Sequence, residues 1–269
     1  MEARRPTLVA VITLALAGWI LAAAVMALLW VWHLRLQNAG LVDVGWTALV
    51  ASLAILGARF GAGWEYRRAA AGFMMGSWGL RLAVYLLYGR VLNRPEDGRY
   101  VAMRRDWGVE APRRFFWFFQ TQALAAVGFS LPALFASTNP EPSFSLIELV
   151  AAGLWVVAFA GESTADRQLL RFKSNAANRG RTCRAGLWKF SRHPNYFFEW
   201  LIWIAFALFA AASPWGWVTF ACPAAMLYFL FKVTGIPLNE AQALRSRGDA
   251  YRDYQQSTSI FVPWFPRSS

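Results

Sequence analysis

From Thr7 to Trp32 the chain runs 26 residues without a single charge. A bilayer core needs about 20 apolar helical residues to cross it, so this run commits the chain to a lipid-solvated fold unless it is removed. Six further apolar stretches follow, at 41–58, 72–89, 115–137, 144–161, 196–212 and 214–231, the last two divided only by Ser213-Pro214. The expected architecture is therefore all-α: a polytopic integral membrane protein with seven transmembrane helices. Composition agrees, with 57% hydrophobic residues and 16% charged ones, against about 25% charged in soluble domains. Arg4 and Arg5 precede the first run as they would in a signal peptide. The run is too long for a signal-peptide apolar region and lacks a clear cleavage site, so a retained helix is expected, serving packing or lipid contact.

The net charge of +12 reads as membrane orientation rather than as nucleic-acid binding. Segments 33–40, 90–114, 162–195 and 232–269 hold 21 of the 27 Lys and Arg. Those segments all lie on one side of a seven-helix chain, which places the N-terminus outside and the C-terminus in the cytoplasm. Cys183 and Cys222, like His33 and His193, have no metal-ligand spacing, so neither a metal site nor a disulfide is expected. There is no internal repeat or linker, and a single membrane-embedded domain is expected.

Chemistry-bearing residues concentrate in Gly186-Leu-Trp-Lys-Phe-Ser-Arg-His-Pro-Asn-Tyr-Phe-Phe-Glu-Trp200. Pro194 suits the first turn of a helix, whose N–H groups are unpaired in any case. A helix from there puts Asn195 and Glu199 on one face, with Tyr196 beside them. Arg192, His193 and Lys189 precede its N-terminus, where backbone N–H groups and the dipole favour an anion.

Elsewhere several polar residues are open to two readings. Asp43, at the start of the second helix, is a functional acid or a first-turn cap. Arg59, Glu65, Arg67 and Arg68 read as interfacial charges of a loop or surface helix over 57–71. Arg81 lies deep in the third helix with Tyr85 one turn on, and calls for a cofactor phosphate or an internal acid such as Asp43 or Glu199. Residues 90–114 read as a long loop, with Glu96, Asp97, Arg99, Tyr100, Arg104 and Arg105 as an ion-pair network, long enough to fold over a site as a lid. Glu162, Asp166, Gln168, Arg171 and Lys173 end the fifth span. Arg179, Arg181 and Arg184 suit a phosphate or anionic lipid heads. Glu240, Tyr251 and Tyr254 suit a short helix returning over the basic loop.

Together, Asp166-x-Gln-x-x-Arg-Phe-Lys173, the Ser191-Arg-His-Pro-Asn-Tyr-x-x-Glu-Trp200 element, Glu240 and Tyr251-x-x-Tyr254 resemble the C-terminal half of the steroid 5α-reductase family, and its bacterial members most closely. The Glu96-Asp-x-Arg-Tyr100 segment fits those members too. The resemblance implies NADPH in a cytoplasm-facing cavity of an inner-membrane protein, with residues 1–137 on the substrate side and 138–269 as the cofactor half. Residue by residue it implies that Asn195 and Glu199 meet the nicotinamide amide and that Asp166 meets a ribose hydroxyl or the adenine. Arg192, His193 and Tyr196 would line the diphosphate and ribose, with Glu240 and Tyr251 nearby. Arg81 aligns with a basic cofactor-contacting position, and Arg171 and Lys173 are the candidates for the 2′-phosphate. The implied reaction is reduction of the conjugated C=C bond of a 3-oxo-4-ene steroid or similar hydrophobic enone by a monomeric enzyme. The chain departs from the mammalian members in lacking their Gln-Glu pair and in carrying Trp78 where they have a tyrosine. Asp43 and Tyr85 are the substitutes expected to serve the carbonyl. Isoprenylcysteine carboxyl methyltransferases share the Arg-His-Pro-x-Tyr element and use S-adenosylmethionine; Asn195-Tyr196-x-x-Glu199 favours the reductase. A non-enzymatic membrane protein holding acidic lipid is the reading from a third class.

Overall fold

The structure, a computed structural model, describes residues 4–267. They form ten α-helices: α1 (Arg4–Leu36), α2 (Leu41–Phe60), α3 (Glu65–Leu86), α4 (Gly98–Trp107), α5 (Ala111–Ser137), α6 (Leu146–Ser174), α7 (Pro194–Ala211), α8 (Ala221–Tyr228), α9 (Ile236–Arg247) and α10 (Asp249–Ser257). Wide π-type turns close α3 at Leu87–Val91 and α8 at Phe229–Val233. No strand occurs among the described residues; Ser191 and Ser259 form one isolated bridge. Seven helical spans are long and apolar enough to cross a membrane: Leu8–Leu36, Leu41–Phe60, Glu65–Val91, Gly98–Ser137, Leu146–Ser174, Pro194–Ala211 and Gly216–Arg247. The expected seven-span, all-α architecture is what the chain adopts, with most spans longer than their uncharged cores.

Two compact units can be distinguished: Met1–Glu148 with Phe209–Thr219, and Leu149–Leu208 with Phe220–Ser269. In the first unit α1, α2, α3 and α5 pack together. Small residues let α2 and α3 approach closely, as in other membrane helix pairs. A Cβ on Gly72 would stand 2.6 Å from Ala58 Cβ, and one on Gly79 2.8 Å from the Thr47 carbonyl oxygen. Around that seam Val50, Ala51, Met75 and Trp78 are buried. Much of α1 faces outward instead, with Val9, Ile12, Leu16, Ile20 and Leu28 exposed, as a lipid-facing helix requires.

The 57–71 loop is shorter than the charge pattern suggests, because α3 begins at Glu65. The turn is built on close backbone approach: Gly63 N–H donates to Ser137 O and Trp64 N–H to Asn139 O, both at 2.9 Å. Arg67 is therefore not an interfacial charge. It is 1% exposed and donates through Nε to Glu148, itself fully buried, at 2.5 Å. Its Nη atoms hold the carbonyls of Asn139, Glu141 and Ser143, and Trp64 and Phe144 flank the guanidinium. Glu148 also accepts from the Ser145 N–H and hydroxyl, both at 2.8 Å. The Glu148 side chain thus supplies the returning arm of a capping box, readable in the sequence as Ser145-x-x-Glu148, while its own N–H donates to the Ser145 carbonyl at 3.1 Å.

Residues 90–114 are likewise mostly helix rather than loop. Asp97 caps α4 by accepting from Arg99 N–H at 3.0 Å, and a short turn at Gly108–Glu110 leads into α5. Of the expected network the Arg104–Glu96 pair is present at 2.9 Å; Arg99 pairs with Asp43 and Arg105 with Asp106 instead, and Asp97 lies 4.0 Å from Arg90. Glu96 also accepts from the Ala39 N–H at 2.7 Å, fastening this segment to the α1–α2 turn.

In the second unit, the Gly161 position of α6 faces the Phe198 ring of α7 so closely that a Cβ there would overlap it. Ile202, Trp203 and Ala205 of α7 are buried. The segment 183–193 winds between α6 and α10. Gly186 has φ +61, a conformation that favours glycine. The amide of Gln168 occupies the space its side chain would need, and accepts from Leu187 N–H at 2.9 Å.

Candidate functional site

The site residues of the second unit gather around the N-terminus of α7. The helix begins at Pro194, as its sequence requires. Ser191 organises the approach: its Oγ accepts from His193 N–H at 3.1 Å and donates to Phe261 O at 2.8 Å. Arg192 N–H donates to Ser259 O at 2.8 Å. The tail beyond α10 thus lies alongside the Ser191–His193 strand of chain and fixes it.

Glu240 is the hub of the cluster. Its Oε1 accepts from Tyr251 OH at 2.6 Å and Arg192 Nε at 3.2 Å, and lies 2.9 Å from His193 Nε2. Its Oε2 accepts from Gln255 Nε2 at 2.6 Å and pairs with Arg192 Nη2 at 3.1 Å. Arg192 Nη1 donates to the carbonyls of Gln255 and Thr258 at 2.8 and 3.0 Å. The Glu240 carboxylate at Nε2 fixes the orientation of the His193 ring. Burial raises the Tyr251 phenol above its ordinary value of 10.0, and its bond to Glu240 adds to that shift. Burial likewise raises Tyr254, whose hydroxyl donates to the carbonyls of Trp188 and Ser191. Both phenols serve as neutral donors.

The α7 face next to this hub carries the candidate ligand groups. Asn195 Nδ2 donates to Asp166 Oδ1 at 3.3 Å, joining α7 to α6; Asp166 is only 4% exposed. Glu199 is half-buried one turn further along α7, and Tyr196 is half-buried between them. The Tyr196 ring stacks on His193 with centroids 5.5 Å apart and planes at 5°. Its hydroxyl accepts from Asn239 Nδ2 at 2.7 Å. Arg171 and Lys173 are exposed in the last turn of α6.

Tyr196, His193, Arg192, Glu240 and Tyr251 are thus linked through one chain of bonds and ring contacts, and Asp166 and Asn195 form a bonded pair at the same helix start. Arg192 bonds to Glu240 and to the carbonyls of Gln255 and Thr258, and Glu240 bonds also to His193, Tyr251 and Gln255. Sequence reasoning missed Gln255 and Asn239. The i, i+3, i+4 spacing of Tyr251, Tyr254 and Gln255 on α10 was the available signal for the former.

In the first unit Asp43 lies in the opening turn of α2 without acting as its side-chain cap. Its Oδ2 accepts from Arg99 Nη2 at 2.9 Å and its Oδ1 from Tyr100 OH at 2.8 Å. The Arg99–Tyr100 pair thus supplies the partners of this acid, which spacing alone could not show. Arg81 and Tyr85 are half-buried one turn apart on α3. Trp78 is fully buried and edge-on to Trp46, at 6.3 Å and 90°, so it serves packing.

The fold and this cluster define a class: a polytopic helical membrane protein with a charged and polar site at the mouth of one span. The chain belongs to the family described as "protein of unknown function (DUF1295)", whose model matches residues 29–258. It is similar to "uncharacterized protein C594.04c" of Schizosaccharomyces pombe, at 28% identity over 222 residues. The alignment takes in 72% of this chain and 64% of the yeast protein, so the chain spans under two thirds of that relative's length. No solved structure matches.

Proposed function

We propose that the protein is an NADPH-dependent membrane reductase of a conjugated C=C bond in a 3-oxo-4-ene steroid or similar hydrophobic enone. The observation that carries the reading is the bond from Asn195 to the buried Asp166, with Glu199 one turn further along α7. An amide between carboxylates can orient a ligand that presents a carboxamide and hydroxyls, as a nicotinamide nucleoside does. The donor set fits such a group. Asn195 and Glu199 would hold the carboxamide, Asp166 a ribose hydroxyl, and the exposed Arg171 and Lys173 the 2′-phosphate. His193 and Tyr196, stacked on each other, would line the ribose. Arg192, Glu240 and Tyr251 act by positioning His193 and the start of α7. When bound, NADPH supplies the hydride that adds to the β-carbon of the enone. Negative charge then develops on the carbonyl oxygen and calls for a donor there, and a proton from water adds to the α-carbon to complete the reduction.

In this reading the site faces the cytoplasm of a bacterial inner membrane, with the N-terminus outside and the C-terminus inside. The distribution of Lys and Arg supports that orientation. The enzyme works as a monomer and takes its substrate from the lipid. The test is NADPH consumption by the detergent-purified protein offered 3-oxo-4-ene steroids. Expected is turnover that Asn195→Ala and Glu199→Ala each lower at least tenfold. Transfer of a methyl group from S-adenosylmethionine to a lipid-soluble carboxylate, with no NADPH consumption, would replace the reductase by the methyltransferase.

A further inference from the structure

Beyond α10 the chain bends back on itself and is pinned to the segment before α7. Ser259 O and Phe261 O accept from Arg192 N–H and Ser191 Oγ, at 2.8 Å each, and Trp264 N–H donates to Phe190 O at 2.9 Å. Arg267 N–H returns to Ser257 O at 2.9 Å. Phe261 points inward and is buried against Phe231, Phe197 and Trp200, with ring centroids 5.1, 5.6 and 5.9 Å away. The residues on either side point outward: Ile260 and Val262 are exposed, and Trp264 and Phe265 are 70% and 77% exposed. A segment fixed by this many bonds cannot turn those four apolar side chains back into the protein. Their exposure is a built feature.

What covers them follows from where Phe261 sits. Phe197 and Trp200 are three and six residues into α7, about 4.5 and 9 Å along its axis, at the entrance of the sixth span. Phe231 closes the apolar part of the seventh span, whose Phe229 and Val233 are exposed side chains beside it. Through Phe261 the tail packs on Phe231, so its exposed apolar residues flank a contact with a span whose Phe229 and Val233 are themselves exposed. Lys232, Lys189 and Arg267 are exposed in the same neighbourhood of the chain. Aromatic side chains flanked by cations are the composition that settles at the headgroup level of a bilayer.

We infer that residues 260–265 form an interfacial membrane anchor, seated between lipid headgroups and acyl chains. Through Ser259 O and Phe261 O the anchor holds Ser191 and Arg192, and so sets the entry of α7 relative to the membrane surface. The anchor is independent of which cofactor the site takes.

The test uses the full chain in phosphatidylcholine–phosphatidylglycerol bilayers. Trp264→Cys and, separately, Val262→Cys carry a nitroxide, in a background of Cys183→Ser and Cys222→Ala. Leu16→Cys on α1 and Arg252→Cys on α10 give the lipid and water references. Collision with oxygen should exceed collision with a water-soluble nickel complex at 262 and 264, as at 16 but at shallower depth. A ratio equal to that at 252 would overturn the anchor in favour of a solvated tail. Shielding from both reagents would overturn it in favour of a protein partner, including a second copy. In the chain with its natural cysteines, Trp264→Phe should remove a component of the tryptophan fluorescence that shallow brominated lipid quenches. No change in that quenching would count against the anchor.

Discussion

Single residues in this chain matter most where a charge has been taken out of water. Arg67 and Glu148 form such a pair, and removing one partner leaves the other buried and alone. Glu148→Ala is expected to cost about 3–5 kcal/mol, read as a fall in melting temperature of the purified protein. Replacing both residues by apolar ones should not recover the loss, because the carbonyls of Asn139, Glu141 and Ser143 and the Ser145 N–H then lose their partners. The Asp43–Arg99 pair is more than a quarter exposed on each side, and solvent screening limits its worth. Asp43→Asn should cost no more than about 1 kcal/mol while leaving the Tyr100 hydroxyl an acceptor. If Asp43 instead serves a substrate carbonyl, the same variant would lose turnover far out of proportion to stability.

At the same scale, the phenols of Tyr251 and Tyr254 carry a pH dependence. Their folded values lie above the unfolded value of 10.0, so the neutral form is the one the fold prefers. Their contribution is complete below pH 10 and is lost as pH rises from there toward the folded values. Melting temperature should therefore fall above about pH 10, and Tyr251→Phe with Tyr254→Phe should flatten that fall. A slope unchanged in the double variant would place the alkaline sensitivity elsewhere.

Among the elements, the spans were legible from hydropathy because lipid leaves a helix no other way to satisfy its backbone. The boundaries were less so. Glu65 and Arg67 look like loop charges in sequence, yet α3 takes both, because the partner of Arg67 lies 81 residues away. The same holds for α4: Arg99 and Tyr100 face an acid 56 and 57 residues earlier, and no local pattern announces that pairing. The start of α7 was readable from Pro194, and the Asn195–Glu199 face from helical spacing. The role of Arg192 was not, since its partners Glu240, Gln255 and Thr258 come from elements whose return depends on the fold. The close seam of α2 on α3 gives a check on element packing. Gly79→Val should disturb it, because the added side chain meets the Thr47 carbonyl, and yield of folded protein from membranes should drop severalfold.

For the molecule as a whole, orientation and cofactor are the claims that matter. A cytoplasm-only reporter fused after Ser269 is expected to be active, and one fused before Met1 silent; the opposite pattern would reverse the proposed topology. The cofactor is tested most directly by thermal melting of the detergent-purified protein with NADPH, NADH and S-adenosylmethionine. A ligand at a hundredfold excess over its Kd stabilises the folded state by about 2.7 kcal/mol. NADPH is expected to raise the melt in proportion to the logarithm of its concentration, and Glu199→Ala to abolish the shift. A shift with S-adenosylmethionine alone, or a NADPH shift untouched by Glu199→Ala, would contradict the assignment of this site.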